Sequence, residues 1–221
     1  TLAHTFSLGR LAPYELRMIY PGREVDLKTF LKGKAGAAKA HFEVNWIFPR
    51  LVVGNIDHTL DALAITHTYY DTTAAKTDSD YWRPSEPGWH DASLMVPVSI
   101  DEGHFTHVYF YPIYSPSTFA IDVEIYTDEG KLLGSKPSVL EITSPGKDVH
   151  KIDMQNLLKE LRIPTEPYLA ARLIARPLSG RLPARIKLGF DIGREPVRLP
   201  CNICTNLQPF NPALEAKPKS F

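Results

Sequence analysis

Four of the eight histidines, His67, His90, His104 and His107, fall between positions 67 and 107. Neutral imidazole is the commonest transition-metal ligand and a ready proton carrier near neutral pH. His104-x-x-His107 has the look of a metal pair, but residues three apart in a strand point to opposite faces. A shared ion would need a bulge or a helix there, and zinc needs three or four ligands converging at about 2 Å. His67 shares the parity of Leu63 and Ile65 in an alternating run. The favoured reading is therefore a buried ring hydrogen-bonded to backbone, as buried polar groups usually are. With His90 and Asp91 in a nearby loop, it is also the first choice for a polar or metal site.

Asp122 and Glu124 share a strand face in "FAIDVEIY", and glycoside hydrolysis needs two carboxyls about 5 to 10 Å apart. Alternating acids on an outer face are more often simply solvated, so a carbohydrate-active enzyme is the lesser alternative. Trp82 and Trp89 lie in "DYWRPSEPGWH", a Pro/Gly loop that would present large aromatics to a ligand or protein, next to His90. The competing reading has them cap a core. "KTFLKGKAGAAK" is basic and glycine-containing but lacks the Gly-Lys-Ser/Thr ending of a phosphate-binding loop. No nucleophile elbow, HExxH helix, dinucleotide fingerprint or zinc-finger spacing is present.

The chain has two cysteines, in Cys201-x-x-Cys204. A redox pair would want a helix N-terminus after it, and Pro209 and Pro212 argue against one. The expectation is a local disulfide if the protein is exported and two free thiols if it is cytosolic.

The elements that must carry these residues are short strands. Residues 61–70 alternate; 93–100 and 104–112 follow around Asp101-Glu102-Gly103. In 119–126, Phe119, Ile121, Val123 and Ile125 face one way, Asp122 and Glu124 the other, before a hairpin turn with Gly130 at a positive-φ position. "YLAARLIA" and "ARIKLGFDI" close the set. Such strands with a short helix predict a mainly β fold, an antiparallel two-sheet β-sandwich, immunoglobulin-like or similar.

An internal echo adds a partial tandem repeat. "LRMIYPGREVDLKTFL" and "LEITSPGKDVHKIDMQNLL" each run from an alternating strand through Pro-Gly-basic-acidic to an aspartate and an amphipathic turn. Asp26 and Asp153 are the expected N-caps. Residues 1–50 then read as the second half of a preceding β unit, 51–200 as a complete unit, and 201–221 as the start of a further unit or an extension.

Lysine plus arginine (25) balances aspartate plus glutamate (25), so no global field favours nucleic acid or an anionic membrane. No apolar run reaches the length of a membrane span. The expected function is a non-enzymatic scaffold or binding protein that assembles with itself, as a homo-oligomer, or with another chain completing the half-units. An exported or cell-surface location is favoured. No cofactor is required; the alternative, a metal- or small-ligand-binding protein, would use a transition metal on the histidine cluster.

Overall fold

The computed structural model describes residues 4–33, 38, 40–41, 52–57, 62–67, 81–82, 92–98, 103–113, 116–164, 168–179, 182–183, 186–194 and 201–207, with backbone alone at 55–57, 62–67, 81–82, 182–183 and 201–206. The chain divides into two units, Thr1–Ala40 and His41–Phe221.

In the first unit, the only regular elements among the described residues are two helical turns, α1 (Pro21–Glu24) and α2 (Leu27–Leu31). Proline at the first helical position starts α1, because its fixed φ suits a helix and its missing N–H is not needed there. Asp26 starts α2: its Oδ1 accepts from the backbone N–H of Lys28 (3.1 Å) and Thr29 (3.3 Å), and its Oδ2 from the Thr29 hydroxyl. The Thr29 side-chain bond, with the backbone bonds, holds the Asp26 carboxyl below its ordinary pKa. Lys32 closes the turn in the left-handed region (φ 50°). Arg17 ties the preceding segment together, donating to Glu15 and to the carbonyls of Leu8 and Arg10. No described residue of this unit is buried.

The second unit is mainly β. In chain order its elements are β1 (Val52–Asp57), β2 (Ala62–His67), β3 (Tyr81–Trp82), β4 (Ala92–Val98), β5 (His104–Phe110), β6 (Ser117–Thr127), β7 (Leu132–Ser144), β8 (His150–Asp153), α3 (Met154–Leu161), β9 (Leu169–Pro177), β10 (Leu182–Pro183), β11 (Ile186–Arg194) and β12 (Cys201–Leu207). Two four-stranded antiparallel sheets dominate, in the orders β4-β9-β6-β7 and β12-β11-β5-β8. β1 pairs with β2, and β3 with β10.

Alternation explains which faces meet. Phe119, Ile121, Val123 and Ile125 of β6 are fully buried, as are Leu173 of β9 and Val96 of β4. They share one apolar core with Val108 and Phe110 of β5, Ile152 of β8, Leu188 of β11 and Leu207 of β12. At about 25 cal/mol per Å² of apolar surface removed from water, each such aliphatic side chain contributes about 1.5 to 3 kcal/mol. The turn after β6 is the expected one: Gly130 sits at φ 83° and its N–H bonds the carbonyl of Thr127 (3.0 Å). Gly103, just before β5, also takes a positive φ (79°), and the strands on either side of it part: β4 pairs with β9 in one sheet, and β5 lies between β11 and β8 in the other.

Helix α3 closes part of the core with Met154, Leu157 and Leu158. Asp153 caps it, accepting from the Asn156 N–H (3.1 Å), and Arg162 (φ 55°) ends it with the Ile163 N–H reaching back to the Leu158 carbonyl (3.0 Å). That is a Schellman-type finish. The two segments that echo one another in sequence thus share aspartate N-caps and left-handed C-caps. They differ between strand and helix, because Pro21–Glu24 is helical whereas Pro145 follows a cis peptide bond and Gly146–Val149 has no regular structure.

Candidate functional site

On the outer face of the second sheet, one cross-strand row reads Asp191 (β11), His107 (β5), Asp153 (β8). Directly opposed side chains in a sheet stand about 5 Å apart at Cβ, so two carboxylates flank one imidazole. His107 Nε2 lies 3.5 Å from Asp153 Oδ2, and its Nδ1 lies 3.5 Å from the Tyr109 hydroxyl. Phe105 stacks on the imidazole at 4.8 Å between ring centroids, and Tyr109 meets it edge-on at 6.2 Å. The three rings follow from one strand's period of two.

Glycine makes room for this ladder. Gly193 pairs with Phe105, and a Cβ at Gly193 would sit 2.6 Å from the Phe105 Cζ. The ring therefore lies over bare backbone of β11. The β5–β8 ladder ends at the His107–Asp153 pair, and the Thr106 N–H next to it donates to the Gln155 side chain of α3 at 2.9 Å.

Electrostatically the row is dominated by burial. Removal from water, then the Lys151 ammonium, push the His107 pKa down, and the attraction of Asp153 and Asp191 only partly offsets this. Burial likewise raises the Tyr109 phenol. The cluster is a neutral imidazole held by rings and carboxylates, able to exchange one proton. Among the described residues no three His, Cys, Asp or Glu side chains converge to hold a metal ion.

The outer face of the first sheet carries Asp122 and Glu124, each engaged by arginine. In β7, residues 137–139 stand opposite Asp122 alone, between the pairs Ile121–Leu140 and Val123–Lys136. In this bulge Ser138 takes φ 49°, and its N–H, lost from the ladder, bonds Asp122 Oδ1 at 2.7 Å. Arg176 grips the same carboxylate with Nε (2.9 Å) and Nη2 (3.1 Å) and donates to the Ser138 hydroxyl. Glu124 accepts from Tyr126 (2.6 Å) and Arg172 (3.3 Å), and Arg172 also reaches Ser93. Burial raises the Asp122 pKa, but the bonds from Arg176 and Ser138 outweigh it and hold the carboxyl below its ordinary value. A glycosidase acid needs the opposite shift. What Asp122 does here is pin a bulge.

His104 and His107 point to opposite faces of β5, as the strand period requires, and His104 Nδ1 is buried with no hydrogen-bond partner among the described residues. His67 ends β2 opposite Val52, in a different sheet from both. Trp82 pairs with Leu182 in the β3–β10 ladder, while Trp89 and His90 lie outside the described residues. Cys201 and Cys204 are on β12, opposite Ile192 and Gly189. Three residues of extended strand span about 10 Å, and a disulfide holds Cα atoms within about 7 Å, so a bridge between them would require this ladder to break.

Sequence reasoning singled out His107 but not Asp153, Asp191, Phe105 or Tyr109 around it. The alternation in "HFTHVYF" already puts the three rings on one face. The carboxylates come from strands remote in sequence, and only strand pairing shows them.

A second candidate is the first unit's surface. Leu16, Met18 and Tyr20 alternate along it and are 89%, 68% and 40% exposed. Comparison with protein families, with curated proteins and with solved structures finds no match to this chain.

Proposed function

We propose that the chain is a non-enzymatic β-sandwich module, immunoglobulin-like in layout, that works by assembly through residues 16–31 of its first unit, an alternating apolar segment followed by two helical turns. The supporting observation is a contrast between the two echoing segments. Ile142, Met154, Leu157 and Leu158, which follow the β7–α3 pattern, are buried at 6%, 0%, 4% and 7% exposure. Their counterparts are Met18, Leu27, Phe30 and Leu31; Met18 is 68% and Leu27 39% exposed, and none of the four is buried. The same pattern that fills a core in one place stays unburied among the described residues of the other. Read as a partial tandem repeat, the first unit supplies an alternating apolar segment and a capped turn that another chain covers.

Light scattering on the full chain over a range of concentrations tests this. A particle that grows in mass with concentration is expected. A strict monomer of 24.8 kDa at every concentration, with no binding partner, would overturn the reading.

One observation favours a second reading, a metal- or small-ligand-binding protein using His104 or His107 with His67 and His90. His104 Nδ1, without a hydrogen-bond partner among the described residues, is a buried nitrogen of the kind that usually has a bond. Elemental analysis of protein purified without chelators decides it, and no zinc, copper or iron above trace removes it.

A further inference from the structure

The first unit's exposed strip can be read more closely, on the premise that the chain assembles through it. We infer that residues 16–20 of two copies pair antiparallel about a two-fold axis at Met18, forming an intermolecular two-stranded ribbon.

The polarity of the segment is what makes it self-complementary. With the axis at Met18, Leu16 faces the partner's Tyr20, Met18 faces the partner's Met18, and Tyr20 faces the partner's Leu16. All six side chains then share one face, since paired residues in a sheet point the same way. Met18 and Tyr20 already lie together on one side, because the Tyr20 hydroxyl reaches the Met18 sulfur at 2.7 Å. On the other face Arg17 meets the partner's Ile19 rather than another charge. Moving the axis to Arg17 would put two guanidinium groups opposite each other, which is unfavourable. That shift would also draw in Tyr14, which occupies a turn at φ 65°.

Charge and chain chemistry suit a second copy. Arg17 is engaged by Glu15 and two carbonyls of its own unit, so no unpaired charge is carried into the contact. The chain's net charge is zero, so two copies do not repel at long range. Pro21 has no N–H and ends the ribbon where α1 begins.

The exposed apolar area of the unit is large enough for a dimer contact. Phe6, Leu11, Tyr14, Leu16, Met18, Tyr20 and Leu27 are all exposed, Tyr14 and Leu16 almost fully. Summed over the unit, their exposed fractions correspond to roughly 800 Å² of side-chain surface, on the order of one partner's share of a standard interface. A two-stranded ribbon alone is marginal in water, so this surrounding apolar area, Leu27 of α2 included, must add to the ladder.

Sedimentation velocity on the full chain, with Met18→Asp beside the parent, tests the register. The parent is expected at twice 24.8 kDa. Met18→Asp, which sets two carboxylates face to face on the axis, is expected to weaken dimerisation by on the order of a hundredfold or more. A second readout does not depend on that variant folding. In a Cys201→Ser, Cys204→Ser chain, Met18→Cys is expected to form a reductant-sensitive dimer, because only the axis residue meets itself; Ile19→Cys is expected not to. If the parent associates but Met18→Asp leaves the dimer intact, or Ile19→Cys cross-links as well as Met18→Cys, this register is wrong while assembly stands. A parent that stays monomeric overturns the ribbon, and overturns the assembly reading as well where no other chain binds it.

Discussion

Asp153 uses its two carboxylate oxygens on two different elements: Oδ1 accepts from the Asn156 N–H at the start of α3, and Oδ2 lies 3.5 Å from His107 Nε2 on β5. One side chain thereby fixes where β8 becomes helix and which way the imidazole of the neighbouring strand points. Asp153→Ala is expected to destabilise the fold by about 1 to 2 kcal/mol, the usual cost of a lost cap. Asp153→Asn keeps an acceptor for the cap and should cost less, while removing the charge that raises the His107 pKa. Urea unfolding with an NMR titration of His107 separates the two effects.

His107 sets a pH dependence of definite sign. Its folded pKa is below the ordinary value of 6.5, so between the two values the unfolded chain binds more protons than the folded one. Stability contributed by the neutral ring is fully present above pH 6.5 and is lost as pH falls from 6.5 to the folded pKa, with no further loss from this group below it. Thermal melts from pH 8 to pH 5 should show that loss, and His107→Gln should flatten this part of the profile. A His107→Gln profile as steep as the parent's would refute the assignment.

Gly193 is required by the ring above it rather than by backbone freedom. Gly193→Ala places a methyl group 2.6 Å from Phe105 Cζ, so the ring must swing off the sheet and away from His107. A loss of about 1 to 3 kcal/mol is expected, as for other overpacked sites. Phe105→Leu should relieve much of it, and a double-mutant cycle in urea measures the coupling.

Asp122 satisfies the Ser138 N–H in the β7 bulge, so Asp122→Ala should cost about 1 to 3 kcal/mol by leaving that donor and Arg176 without their acceptor. Since its folded pKa is depressed from 3.8, the stability it contributes is present above pH 3.8 and lost as pH falls below that value through the folded pKa. Hydrogen exchange should show the Ser138 amide opening more readily in the variant, with Ile142 further along β7 less affected.

Much of the local structure could be read before any folding was considered. Alternation identified Phe119 to Ile125 as an inward row with Asp122 and Glu124 outside, and composition placed Gly130 in a positive-φ turn. Asp26 and Asp153 were legible as helix caps, because a cap is decided by a residue and the three that follow it. These features rest on steric and hydrogen-bonding rules that act over a few residues, so the amino-acid sequence by itself determined them.

Only the tertiary structure decided which strands are neighbours. β4 and β5 are adjacent in sequence across one short turn, yet they lie in different sheets, because β4 is held by β9 and β5 by β11 and β8. The surroundings of His107 follow from that choice: Asp191 and Asp153 reach it across two ladders, and Gly193 leaves space for Phe105. Asp122 and Glu124 look alike in sequence to a pair of catalytic acids, and become a bulge anchor and an arginine partner only once β7 and β9 lie beside β6. Pairing of distant strands depends on the whole core closing at once, and no local pattern encodes it.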